Sequence, residues 1–322
     1  MNWLLIFMRN GQLVVKSQFF YPLVIFFAWC GASWHWLSGK SFIPWDSVDA
    51  FFPQVSFIVD SLLKGESPTW NPLIFGGLPV LGDPQGMIFT PHVLTGLVSG
   101  SAFGLWIFDV TTLACILAGA LCLYSYARSH GSATAFAALG AIVFLLGGYG
   151  TSRLQHVPQI ISYALLPILL FTFRNFLKKP NVLNILALSS TGVLLALNPN
   201  QVVFLIPFLL GPLLFLELAR NPRHLSPWPG LAVSLLLVLL VATPSLSAIL
   251  ETVAHSTRTA ISLQNNSSAS LPGFSALSLF IPGLFLERSG IAGYWGPADL
   301  TEPYLYIGII PAFVAFAGIT RR

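Results

Sequence analysis

The stretch from residue 104 to residue 127, GLWIFDVTTLACILAGALCLYSYA, decides the class of this protein. It holds a single charged residue, Asp109, and as a helix it is long enough to cross a hydrocarbon layer about 30 Å thick, which takes around 20 residues. The whole chain has the same character, since 55% of its residues are hydrophobic and 8% are charged, whereas a soluble domain has roughly 25% charged residues. The composition therefore predicts a polytopic membrane protein.

Similar apolar stretches recur along the chain and predict an all-α protein with about eight transmembrane helices. They centre on residues 19–38, 104–127, 132–149, 158–177, 182–198, 202–219, 231–250 and 303–319. With the N-terminus in the cytoplasm, ten Lys and Arg residues fall on the inner side and five on the outer side, which obeys the positive-inside rule. Both termini are therefore predicted to be cytoplasmic, and the first stretch is predicted to be an uncleaved anchor.

Under this orientation two long loops, 39–103 and 251–302, lie on the outer side of a single transmembrane domain spanning residues 1–322. The first loop is acidic. Its carboxylates are Asp46, Asp49, Asp60, Glu66 and Asp83. On a helical wheel its residues 49–63 separate into an apolar and a polar side, which predicts an amphipathic helix lying in the membrane interface. Asp49 is expected to cap that helix, with Pro53 in its first turn.

Several classes of function lose support at this point. The three cysteines, Cys30, Cys115 and Cys122, fall inside apolar stretches and lack metal-ligand partners at useful spacing, which disfavours disulfide frameworks and zinc sites. The chain has no Walker loop, dinucleotide fingerprint or basic and aromatic nucleic-acid surface. ATP-driven transport and nucleic-acid binding are therefore disfavoured.

The turn-rich part of the first loop carries a long pattern. Pro44-Trp45-Asp46, Asp49 and Gln54 precede the run G-x-x-P-x-W-N-P-x-x-F-G-G-x-P-x-x-x-D-P-Q, which occupies residues 65–85. This pattern resembles the YfhO-like bacterial membrane protein family, which is placed among the GT-C-type glycosyltransferases. The resemblance is strongest over residues 44–92. Members of that family usually continue through more spans, so the chain is expected to be a fragment or a short member.

In GT-C enzymes an acidic residue of the first outer loop serves catalysis or metal binding, and the sugar arrives on a polyprenyl phosphate. The resemblance implies that Asp49 is the catalytic carboxylate, with Asp46 as the neighbouring candidate. The chemistry independently needs a base near the acceptor hydroxyl and positive charge for the departing phosphate. The candidate substrate-binding residues are Asp83, His92, Arg153, His156, Glu251 and Arg258.

Each candidate also has a structural interpretation. Asp83 precedes a proline and is suited to setting a turn, each histidine to a structural hydrogen bond, and Arg258 to a lipid head group or a loop salt bridge. Asp109 is an intramembrane acid and thus a functional candidate by default. Paired acids in the first loop would suit Mg²⁺ or Mn²⁺, and metal dependence stays open.

The resemblance thus implies a glycosyltransferase of the bacterial inner (cytoplasmic) membrane. It would transfer a sugar from a polyprenyl-phosphate donor to a glycan, lipid or protein of the cell envelope. The competing hypotheses are a transporter or flippase of lipid-linked sugars and a non-catalytic scaffold in envelope assembly. A transporter would show charged pairs at the membrane midplane or repeats of broken helices.

Overall fold

The structure is a computed structural model that describes residues 7–9, 12–14, 17–220, 227–256, 272–286, 293–296 and 303–320. Within these residues the chain is helical almost throughout, as its hydropathy predicted. Arg258 and most of the polar half of the second long loop lie outside the described residues.

The helices are α1 (Ser17–Ala32), α2 (Trp34–Leu37), α3 (Phe52–Leu63), α4 (Pro91–Ser99), α5 (Leu105–Ser129), α6 (Thr134–Leu146), α7 (Gly148–Ser152), α8 (Val157–Lys178), α9 (Val182–Ala196), α10 (Gln201–Arg220), α11 (Trp228–Ala254) and α12 (Ile309–Thr320). A π-helical turn, Ser47–Phe51, leads into α3, and 3₁₀ turns cover Gly100–Ala102 and Gly273–Leu279. Two antiparallel pairs complete the list: β1 (Phe7–Arg9) with β2 (Gln12–Val14), and β3 (Trp70–Asn71) with β4 (Leu78–Pro79).

Four segments of the described chain are long and apolar enough to cross a membrane. They are Leu105–Ser129, Thr134–Ser152, Val157–Lys178 and Pro227–Ala254. Four shorter apolar helices accompany them, namely Phe19–Ala32, Val182–Ala196, Gln201–Leu213 and Ile309–Gly318. The eight segments overlap the eight predicted stretches one for one. The long segments are those expected of a membrane protein, whereas the crossing of all eight stays a prediction.

The centre of the bundle is the contact between α5 and α8, onto which α6 and α9 also pack. Gly119 of α5 makes the close approach possible, because a Cβ at that position would lie 2.7 Å from the carbonyl oxygen of Ala164 in α8. Small residues allow such helix contacts in membranes, where packing rather than burial from water drives association. α5 and α8 therefore form the frame on which the loops are placed.

The predicted amphipathic helix of the first long loop is present as α3, which packs against α4. Its buried side contains Val55, Ile58 and Val59, as the wheel predicted, whereas Leu62 and Leu63 at its end are exposed. Its lying in a membrane interface stays a prediction.

The expected cap at Asp49 was wrong, although Pro53 does stand in the first turn of α3. The N-cap position is Phe51, and no side chain caps the helix there. The π-helical turn places Asp49 one turn earlier, where its own amide donates to the carbonyl of Trp45 over 2.9 Å. Helical hydrogen bonds thus begin before α3, so Asp49 has no helix start to cap.

Candidate functional site

The segment from Ile43 to Ser47 carries the first part of the site. Ile43 and Ser47 are fully buried, and the Ile43 amide donates to Asp109 Oδ2 over 2.9 Å. Trp45, between these two anchors, has a φ of +59°, a left-handed conformation that bulky residues rarely adopt. This turn leaves Trp45 and Asp46 exposed on the surface of the bundle.

Asp46 forms a pair with His156. Asp46 Oδ2 lies 3.3 Å from His156 Nδ1, with the aspartate side chain 53% exposed and the histidine 19% exposed. His156 occupies the N-cap position of α8, and its carbonyl accepts from the amides of Gln159 and Ile160. The start of α8 thereby fixes the histidine backbone against the loop. A carboxylate beside an imidazole is a pair that can accept and pass on a proton.

Arg153, a buried cation, precedes His156 in the chain by three residues. Arg153 follows α7 directly, is only 9% exposed, and its carbonyl accepts from the His156 amide over 2.8 Å. A guanidinium is always charged and presents a planar fork that matches phosphate oxygens. The turn between α7 and α8 therefore supplies both a cation and the histidine that contacts Asp46.

A cavity of about 300 Å³ opens beside these residues. It is lined by Trp45, Thr151, Ser152, Ser278, Gly283, Leu284, Phe285, Leu286, Tyr294, Pro303 and Tyr304. Trp45 immediately precedes Asp46, and Ser152 immediately precedes Arg153, so the chain neighbours of both residues line the cavity. Its wall combines aromatic rings with hydroxyl groups, which is the lining of a site for a small molecule with both apolar and polar faces.

The second long loop and the segment 303–306 that follows it close the other side of the cavity. The Gly148 amide donates to the carbonyl of Tyr306 over 2.7 Å, which fixes residues 303–306 against the start of α7. Ser278 Oγ donates to the Pro303 carbonyl over 2.5 Å. Gly148 is required here, because a Cβ would lie 2.2 Å from the Tyr304 carbonyl oxygen.

His92 lies elsewhere, in the protein core. It is fully buried on α4, its Nε2 is 2.8 Å from Thr112 Oγ1, and its ring centroid is 4.5 Å from that of Phe108. Burial lowers the pKa of His92 to about 3, so the imidazole is neutral near neutral pH. It is absent from the residues that line the cavity. The structure therefore fits the structural interpretation of this histidine.

The remaining predicted residues are dispersed. Asp83 Oδ1 accepts from the Gln85 amide over 2.9 Å, which is the turn-setting role weighed for it. Glu251 is exposed near the end of α11, and Asp49 is exposed in the π-helical turn. The structure thus brings Asp46 and His156 into contact, and it links Arg153 to His156 through a backbone hydrogen bond. No group of three or more His, Cys, Asp or Glu residues that could hold a metal ion occurs among the residues described.

The aromatic lining was the part that sequence reasoning missed. The sequence pattern contains Trp45 without indicating its role, although a tryptophan next to an acid in a polar loop is a usable signal. Phe285 and Tyr294 gave no signal, because they lie far along the chain and only the fold brings them to Trp45.

No family model, curated protein or solved structure matches this chain.

Proposed function

We propose that this protein is a membrane glycosyltransferase of the GT-C type, which transfers a sugar from a polyprenyl-phosphate donor to a glycan, lipid or protein of the cell envelope. The observation that carries the proposal is the contact of 3.3 Å between Asp46 and His156 beside the aromatic cavity. The resemblance of residues 44–92 to YfhO-like proteins supports the same reaction class.

The chemistry assigns a role to each residue of the site. The acceptor hydroxyl oxygen attacks the anomeric carbon, its proton passes to the Asp46 carboxylate, and the bond from that carbon to the phosphate oxygen breaks. The phosphate leaves with the bonding electrons, and Arg153 stabilises its growing charge. His156 orients the Asp46 carboxylate through the contact of 3.3 Å between them.

The cavity has the size for the sugar rather than for the whole lipid. Its volume of about 300 Å³ stands at the lower end of small-molecule sites, which run from about 300 to 1,000 Å³. Trp45, Phe285, Tyr294 and Tyr304 offer aromatic faces to the apolar side of a sugar ring, and Thr151 and Ser278 offer hydroxyl groups to its polar edge. The polyprenyl chain would stay in the bilayer.

Asp46 is the better of the two acidic candidates. It contacts His156 and follows a residue that lines the cavity, whereas Asp49 is exposed in the π-helical turn and lines no part of the cavity. We therefore assign the base to Asp46 and keep Asp49 as the variant that separates the two assignments.

The proposed setting is the bacterial inner membrane, with eight spans, both termini in the cytoplasm, and α3 in the outer interface. Its support is the match of eight apolar helical segments to the eight hydropathic stretches and the ten-to-five distribution of basic residues. Trp34, Trp45, Trp70 and Trp106 are exposed in or beside the first long loop, as expected of an aromatic belt at a membrane surface.

The test is transfer of labelled sugar from polyprenyl phosphate to an envelope acceptor fraction in proteoliposomes. Asp46→Asn is expected to lower the rate by about 10²–10⁴, the usual contribution of a positioned base. Asp49→Asn is expected to keep most of the rate. Asp60→Asn is the matched control, because Asp60 is an exposed acid of the same loop on α3.

One outcome would reject the assigned base and another would reject the reaction class. Equal transfer by the native protein and all three variants would show that the loop acids do not act in the reaction. Protein-dependent translocation of the labelled lipid without transfer would assign the protein to the flippase class instead.

A further inference from the structure

We infer that Asp109 is a positioning residue for Asp46: its buried carboxylate anchors the segment that presents Trp45 and Asp46 to the cavity. The inference rests on the proposed function of Asp46. It assigns a structural task in the site to an acid that the reaction itself does not use.

The geometry places two anchors on either side of the presented residues. Asp109 Oδ2 accepts the Ile43 amide over 2.9 Å, although the two residues are 66 positions apart. Ser47, four residues later, is fully buried with its side chain facing the same carboxylate. Residues 44–46 thus form a short bridge between Ile43, which Asp109 holds by a hydrogen bond, and Ser47, which is buried beside the same carboxylate.

The bridge needs such anchors because its backbone is strained. A tryptophan with a φ of +59° adopts a sparsely populated conformation, which persists only when the surroundings fix it. Pro44 has no amide hydrogen to donate, so the Ile43 amide is the last donor before the strained residue. The side chain of Ile43 is fully buried in the core, which strengthens the first anchor.

The Asp109 carboxylate can accept more hydrogen bonds than the one that the Ile43 amide donates. Asp109 Oδ1 and Ser47 Oγ are both buried, and neither makes a hydrogen bond among the described residues. An acid at this depth is costly and is retained where it performs a task. The Asp109 carboxylate uses one oxygen for the Ile43 amide and keeps a second, buried oxygen near the Ser47 side chain.

The test measures the position of Asp46 without using activity. In a background with Cys30, Cys115 and Cys122 replaced by alanine, Asp46→Cys and His156→Cys are joined by a short bis-methanethiosulfonate reagent in proteoliposomes. Asp109→Leu removes the acceptor at similar size, and Asp109→Asn keeps an acceptor oxygen. The crosslinking rate is expected to fall about tenfold in Asp109→Leu, which corresponds to a free-energy difference of about 1.4 kcal/mol. In Asp109→Asn it is expected to stay within about threefold of the native rate.

The matched control is Thr112→Val. Thr112 is equally buried on α5 and also contacts another element, but its partner is His92 on α4 rather than the bridge. This variant is expected to crosslink at the native rate. Ser47→Ala removes the hydroxyl group of the buried serine beside Asp109, and a slower crosslinking rate is expected for it. If Asp109→Leu does not fold, this variant decides the test.

The outcomes separate this inference from the proposed function. A native crosslinking rate in Asp109→Leu, or in Ser47→Ala when the leucine variant is unfolded, would overturn the positioning role whatever the transfer assay gives. An equal loss in the asparagine and leucine variants would overturn the hydrogen bond from the Ile43 amide as the anchor, because asparagine keeps an acceptor oxygen. Slow crosslinking in Asp109→Leu without any sugar transfer by the native protein would uphold the positioning role and reject the glycosyltransferase proposal.

Discussion

Replacing Gly148 with alanine tests how the cavity is built. A Cβ at this position would lie 2.2 Å from the Tyr304 carbonyl oxygen, 2.6 Å from the Tyr306 nitrogen and 2.8 Å from the Tyr304 carbonyl carbon. All three atoms belong to the backbone, so the methyl group is accommodated only by moving residues 303–306. That movement stretches the bond of 2.7 Å from the Gly148 amide to Tyr306 and displaces Tyr304 from the cavity wall.

The expected cost is about 1–3 kcal/mol of stability, the usual range for an extra carbon in a packed site. Thermal unfolding in detergent measures it, and the transfer assay should show a lower rate because Pro303 and Tyr304 leave the cavity. Gly140→Ala is the matched control: it lies on α6 with open space around its Cβ position, and alanine there should raise stability by about 0.5–1 kcal/mol. Equal unfolding temperatures and transfer rates for the two variants would refute the packing of residues 303–306 on α7.

Three further predictions follow from the packing and the site. Gly119→Ala should lower stability by about 1–3 kcal/mol, because its Cβ would lie 2.7 Å from a carbonyl oxygen of α8. Gly31→Ala is the control, since the space around that position is open. Thermal unfolding of both variants in detergent measures the difference. Burial lowers the pKa of His92 from 6.5 to about 3, so the unfolded chain binds the proton first and stability falls as the pH drops below 6.5. The free energy of unfolding is expected to fall by about 2 kcal/mol between neutral pH and pH 5. Unfolding measured against pH should show no such fall for His92→Gln. An equal fall in that variant would show that another group causes it. Trp45→Ala should raise KM for the lipid donor about tenfold, because it removes an aromatic face worth roughly 1 kcal/mol or more. Trp34→Ala is the control, since Trp34 is exposed and does not line the cavity. Equal KM values for the two variants would exclude Trp45 from sugar binding.

Hydropathy predicted the helical segments well because a chain in lipid must satisfy its backbone hydrogen bonds within each segment. It did not predict where helices break. The stretch 19–38 is divided between α1 and α2, and the stretch 132–149 is interrupted after Leu146. The second break depends on Gly148 approaching residues 304–306, which lie more than 150 positions away, and no local pattern encodes that contact.

The site was predicted in part for a similar reason. Asp46, Arg153 and His156 were all identified as candidates, since acids and cations stand out in an apolar chain. Their grouping was not predictable, because the Asp46–His156 contact joins residues 110 positions apart. The choice of Asp49 over Asp46 depended on the resemblance of the loop pattern, whereas in the structure it is Asp46 that contacts His156 and follows the cavity-lining Trp45.

The central claim is that Asp46 is the base for sugar transfer at the outer membrane surface. The most direct measurement is the rate at which sealed, right-side-out vesicles transfer labelled sugar from polyprenyl phosphate to an acceptor added outside, for the native protein and for Asp46→Asn at matched amounts. We expect transfer by the native protein and a rate about a hundredfold or more lower for the variant. Equal rates, or transfer that appears only when the acceptor is placed inside the vesicles, would contradict it.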